Sequence, residues 1–322
     1  MTPEGEGFLL PAVAGGPKPV RTWRADAALA GNTLIWVSTF VLVQAALKDI
    51  TPILFLAIRF SIATVALGLL FRGRARFRPT RGGMIAGGCL FAGYLFQTVG
   101  LQFTTASKSA FITGLAIPLV PLLTCIVYFS RPRFFEVAGA VCATAGMGLM
   151  TLQGQTLGIG RGDLLTFCCA VAFAAHIIAV GHFTGRITFE SLSFIQVAAA
   201  AALGLSTFWW VETPVIRLRP LVVIALGVTG LLATALAFTV QAWAQQHTTA
   251  TRTALIYSLE PVVAWITSFW LLGEILSRRA VFGAALILCG IFIVELKRAD
   301  SPEHLSGRSS KSRGIIKGSC GS

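Results

Sequence analysis

Ten apolar stretches of about twenty residues recur along this chain, and they restrict its fold more than any other feature. They run over roughly 27–46, 52–71, 83–101, 107–128, 134–152, 163–182, 190–211, 221–242, 252–272 and 279–296. At 1.5 Å per residue, a helix of about 20 residues crosses a hydrocarbon core of about 30 Å. Lipid offers no partner to backbone N–H and C=O groups, so each stretch must satisfy its own as a helix. Only 12% of the 322 residues are charged, against about 25% in soluble domains, and mean hydropathy is +0.77. The expected class is an all-α integral membrane protein with ten transmembrane helices.

The stretches are not independent. Thr104, Thr105, Ala106, Lys108 and Ala110 fall on Thr248, Thr249, Ala250, Arg252 and Ala254 at a constant spacing of 144 residues, as do Gln97 on Gln241, Gly139 on Gly283 and Gly146 on Gly290. Upstream the spacing is 137, relating Asp26 to Asp163 and Arg59 to Gln196. The chain therefore reads as two five-helix repeats, 26–152 and 162–297, between a disordered basic N-terminal tail (1–25) and a disordered basic C-terminal tail (298–322). Five crossings is an odd number, so the second repeat enters the membrane from the opposite side and the repeats are inverted.

The net charge of +13 raises the question of a nucleic-acid partner. Its placement argues otherwise, because the basic residues lie in short loops and tails. With the N-terminus inside, 12 basic residues face the cytoplasm and 7 the other side even without the C-terminal tail, so both termini are expected in the cytoplasm. The cluster Arg72, Arg74, Arg76, Arg78 and Arg81 would face anionic lipid headgroups. The early FLLPAVAG run follows acidic residues and is broken by proline, unlike a signal peptide. The seven cysteines show no CxxC or histidine-rich spacing and read as small apolar packing residues; no metal or cofactor is expected.

Polar residues within the apolar stretches are the candidates for function. Asn32 and Trp36 share a face of the first segment. Arg59 lies seven residues into the second, about 10 Å deep, where a charge costs about 2.5–3.5 kcal/mol on insertion scales and needs a partner. The fourth segment is interrupted by Gly114, Pro118 and Pro121, and the ninth by Pro261 at nearly the corresponding place. Proline deprives the carbonyl one turn back of its donor, and interrupted helices at matching positions in two halves point to a transporter site near the midplane. Glu260, about 12 Å in, is either paired, protonated or a proton or cation site. His176 and His182 are six residues apart and cannot chelate one ion. Gly158, Gly160 and Gly162 lack the strand and helix context of a nucleotide loop. Gly83 and Gly87 have GxxxG spacing, a packing signal in lipid.

These residues resemble the drug/metabolite transporter superfamily, specifically its EamA-type ten-helix members. The resemblance covers about 25–297. It is carried by Ser258-Leu259-Glu260-Pro261-Val262-Val263-Ala264, by Leu271-Leu272-Gly273-Glu274, by Gly283–Gly290, by Trp36 with Ser38, Thr39 and Phe40, and by Pro52 followed by Arg59-Phe60. The chain departs from the family pattern at Val37, where glycine is frequent, and at Phe129-Ser130, where the second half has Gly273-Glu274. The resemblance implies a carrier of small organic solutes such as amino acids, metabolites or amphiphilic compounds, commonly working outward, with helices one, three, four, six, eight and nine as cavity walls.

The expected protein is then a secondary transporter of the cell membrane, not an enzyme, working by alternating access. Asn32, Trp36, Gln97, Thr113, His176, Gln241 and Tyr257 are the expected substrate-binding residues. Glu260, Lys108, Arg252 and Arg59 are the expected coupling or gating residues. Its partners are a solute and membrane lipids, with proton coupling as a candidate drive and a monomer or homodimer as the assembly. A solute channel and a membrane-embedded enzyme are the alternatives, but the chain has no HExxH, GxSxG or paired intramembrane carboxylates to support the enzyme.

Overall fold

In a computed structural model the described residues are 22–299, apart from 75–76, 105, 130, 132, 153–159, 264–265 and 267–276. Most of both expected tails, much of the ninth segment and Glu274 therefore lie outside the described residues. The rest is helical, with one isolated antiparallel bridge, Ile50 to Ile216. Eight stretches are long and apolar enough to cross a membrane: Trp23–Ala46, Pro52–Leu70, Arg81–Gly100, Lys108–Tyr128, Phe134–Thr151, Arg161–Phe183, Phe189–Val211 and Pro220–Ala244.

The helices are α1 (Thr22–Ala46), α2 (Pro52–Leu70), α3 (Arg81–Gly100), α4 (Ala106–Gly114), α5 (Ala116–Tyr128), α6 (Phe134–Thr151), α7 (Arg161–Phe183), α8 (Phe189–Val211) and α9 (Pro220–Gly230). A π-helical turn, Leu231–Leu236, joins α9 to α10 (Ala237–Ala244); α11 (Ala250–Tyr257) and α12 (Arg278–Ala299) follow. The first helix starts at Thr22, inside the stretch expected as tail.

Local sequence explains the helix ends. Proline opens α2 and α9, where its fixed φ suits the first turn and its missing N–H costs nothing. The Thr80 hydroxyl accepts from Gly83 N at the start of α3, and Thr249 does the same for Arg252 N at α11. Glu212, just past α8, accepts from Leu54 N at 2.7 Å and Ile53 N at 3.1 Å. A carboxylate there satisfies free donors and faces the positive end of the α2 dipole.

Two breaks share one cause. Pro118 has no N–H for the carbonyl of Gly114, four residues back, and α4 ends at Gly114. Pro261 stands in the same relation to Tyr257, where α11 ends.

Packing relies on small residues. Helices α6 and α12 meet along Gly139, Gly146, Gly283 and Gly290. A Cβ on Gly139 would stand 2.6 Å from the Gly290 carbonyl oxygen, and one on Gly290 2.5 Å from that of Gly139. Gly87 of α3 likewise touches the backbone of Gln196 in α8. Helix α3 runs antiparallel to α7, with Gly82 against Phe183 at one end and Gly100 against Gly162 at the other. The largest apolar cluster centres on Phe55, Phe60, Leu90, Tyr94, Val197 and Phe238, from α2, α3, α8 and α10.

Candidate functional site

The π-turn is where the candidate residues converge. A π-turn is one residue wider than an α-turn and recurs at functional sites. Here the Ala237 N–H bonds back to Leu232 and Thr234, bypassing the Ala233 carbonyl. Two side chains use that carbonyl instead: Trp36 Nε1 donates to it at 3.2 Å and Arg59 Nη2 at 3.2 Å. One turn further on, Asn32 Nδ2 donates to the Ala237 carbonyl at 2.9 Å. The shared face of Asn32 and Trp36 thus packs along α10 and the π-turn.

Arg59 is only 4% exposed, and its partners are neutral. Its Nε donates to Thr234 Oγ1 at 2.7 Å and its Nη2 to the Tyr94 hydroxyl at 3.1 Å. The guanidinium carbon lies 4.5 Å from the centroid of the Tyr94 ring, within cation–π range. Thr234 in turn donates to the Thr229 carbonyl, five residues back, at 2.8 Å. Among the described residues no carboxylate pairs with Arg59.

Aromatic rings close the cluster. Trp36 meets Tyr257 edge to face at 4.8 Å, and Tyr94 meets Phe60, Phe173 and Phe238 at 5.5, 5.3 and 6.2 Å. The Tyr257 hydroxyl is enclosed beside Asn32. Glu260 stands three residues on, just past the turn that follows α11, and is exposed.

The other expected residues fall into two groups. Gln97 Nε2 donates to Thr113 Oγ1 at 3.4 Å, with Cys169 Sγ 3.8 Å from the same hydroxyl, joining α3, α4 and α7. His176 and Gln241 are enclosed. His176 is bonded to Gln196 Oε1 at 2.8 Å, and Gln241 donates to Gln245, which donates to the Ile177 carbonyl. In this structure His176 joins α7 to α8 directly and Gln241 reaches α7 through Gln245, and both are as enclosed as Asn32. Lys108 pairs with Asp163 and Arg252 with Asp26, each at 2.5 Å.

Sequence reasoning missed Tyr94, Ala233 and Thr234. Nothing local marks a π-turn in LLATAL. The two aspartates did carry a signal, the 137-residue spacing that relates them. A hollow of about 210 Å3 lined by Asp49, Thr51, Gln102 and Arg217 lies at one end of the bundle, away from the cluster.

The chain matches the EamA-like transporter family twice, over residues 23–152 and 160–296. It is 35% identical over 283 residues to an uncharacterized transporter of Archaeoglobus fulgidus, covering 88% of this chain and 89% of that protein. It is 27% identical to the uncharacterized transporter YoaV of Bacillus subtilis, over 81% of this chain and 93% of the relative. A probable terminal-alkyne amino-acid exporter of Streptantibioticus cattleyicolor is 26% identical, over 83% and 92%. A solved crystal structure shares the fold, with a TM-score of 0.71, 21% identity, and coverage of 86% of this chain and 99% of that one. With two matched repeats and apolar helices of spanning length, this chain is a multi-pass integral membrane protein and belongs to the EamA-like transporter family.

Proposed function

We propose that this chain is a secondary carrier that moves small organic solutes outward across the cytoplasmic membrane by alternating access. Two inverted five-helix halves, 26–152 and 162–297, would present a shared site to each side in turn, with both termini in the cytoplasm. The observation that carries this reading is the cluster around the π-turn, together with breaks in α4 and α11 that each fall four residues before a proline. Helix interruptions paired between two repeats are a feature of transporter binding sites.

In this reading Asn32, Trp36 and Tyr257 contact solute directly, the rings supplying apolar area and the amide orienting it. Gln97 and Thr113 form the opposite wall. His176 and Gln241 act from behind, by fixing the helices. Arg59 places a positive field at the cluster, suited to an anionic group on the solute, and Glu260 takes up and releases a proton as the site changes sides. The named exporter among the relatives makes amino acids the first solutes to try.

The test is uptake into right-side-out and inverted vesicles, with a panel of labelled amino acids and small metabolites, with and without a pH gradient. Saturable uptake with counterflow is expected. Flux that rises linearly with concentration and shows no counterflow would overturn the carrier in favour of a channel.

A further inference from the structure

Two ion pairs link the halves, and they are counterparts under the internal repeat. Asp26 of the first half pairs with Arg252 of the second, and Lys108 of the first with Asp163 of the second. The acids are related by the 137-residue spacing and the cations by the 144-residue spacing. Each acid sits at the start of the first helix of its repeat, and each cation at the start of a helix that breaks before a proline. All four side chains are less than 20% exposed.

The pairs lie at opposite ends of the molecule. Asp163 is at the N-terminal end of α7, where Thr104 Oγ1 also donates to it at 2.7 Å. The start of α11 packs at the other end of α7, with Ala250 beside Gly181. The 18 residues from Asp163 to Gly181 span about 27 Å at 1.5 Å per residue, roughly the thickness of a hydrocarbon core.

Between the pairs, α5 and α11 share buried cores: Ala116 and Val120 with Ala254, and Ile117 with Leu255. A joint tilt of these two helices, with α4 carried by α5, would draw Lys108 away from Asp163 while holding Arg252 against Asp26, and the reverse tilt would do the opposite.

We propose that Asp26–Arg252 and Lys108–Asp163 are matched latches between the halves, one at each membrane face, that open in turn during transport. Both are closed in this structure. The proposal rests on the carrier reading above, and its test does not need the solute to be known.

The repeat supplies matched reporter positions. Ser109 and Thr253 are 144 residues apart, are 1% and 0% exposed, and each directly follows a latch cation. In the full chain in oriented vesicles, Ser109→Cys or Thr253→Cys would be labelled with a membrane-impermeant maleimide from its own side, with labelling of the parent chain subtracted. Asp163→Asn is expected to raise labelling at position 109 at least about tenfold and lower it at 253, while Asp26→Asn does the reverse. The charge-swapped pair Asp26→Arg with Arg252→Asp should restore the parent rates, and this variant separates loss of the latch from loss of folding. Labelling that changes at one end only, that rises at both ends, or that does not change would overturn the proposal. Reciprocal labelling in a protein that shows no saturable counterflow would keep the latches and reject the carrier.

Discussion

Arg59 is a buried charge whose described partners are a tyrosine hydroxyl and ring, a threonine hydroxyl and one backbone carbonyl. Hydrogen bonds to charged groups contribute about 1.5–3 kcal/mol, and a desolvated cation–π contact about 2 kcal/mol. These offset the cost of taking the charge out of water. Methionine at this position would leave the Thr234 and Tyr94 hydroxyls without that donor, and an unmet buried polar group costs about 1–3 kcal/mol. Arg59→Met is therefore expected to lower the unfolding free energy in detergent by about 1–3 kcal/mol while abolishing solute counterflow. Tyr94→Phe leaves the charge but removes an acceptor, and should destabilise by about 1.5–3 kcal/mol in the same assay. Glu260→Gln should remove the response of uptake to an imposed pH gradient and leave counterflow without a gradient intact. A mutant that responds like wild type would make Glu260 structural. At this scale the sequence marked Arg59, Glu260, Trp36 and Asn32 as unusual, since a polar group in an apolar run stands out locally. It did not show that His176 is bonded to a neighbouring helix or that Gln241 reaches one through Gln245.

Helix interruption is encoded locally. Pro118 and Pro261 each lack the N–H that the carbonyl four residues earlier would use, and the helices end at those earlier residues. Proline in a helix interior costs about 3 kcal/mol. Pro118→Ala and Pro261→Ala are expected to raise the thermal midpoint and slow counterflow at least about tenfold, because a continuous helix is stiffer where the cycle needs it to bend. The α6–α12 seam behaves differently. A side chain at Gly139 or Gly290 would enter the opposing backbone, which cannot retreat as a flexible side chain can. Gly290→Leu should therefore destabilise by more than about 3 kcal/mol or prevent folding, read as loss of the monodisperse peak on size-exclusion chromatography. The glycine spacing showed that these helices pack closely. The π-turn stayed hidden, since its residues are ordinary helix formers and its extra width is stabilised by Arg59 and Trp36, which lie far away in sequence.

At the scale of the whole molecule, the expected topology places both termini in the cytoplasm. A protease added outside right-side-out vesicles should leave terminal tags intact, and in inverted vesicles it should remove both. Cleavage of one tag in each preparation would mean an odd number of crossings. The division between what was legible and what was not follows the range of the forces involved. Membrane class, the two repeats and the helix breaks were determined by the sequence alone, because each depends on residue types along the chain or on the requirement that lipid imposes on every backbone. Tertiary structure alone decided the partners: Thr234 for Arg59 across 175 residues and Asp26 for Arg252 across 226. Which polar groups meet depends on helix tilt and rotation, set by packing between helices distant in sequence, and no local pattern of residue types records those angles.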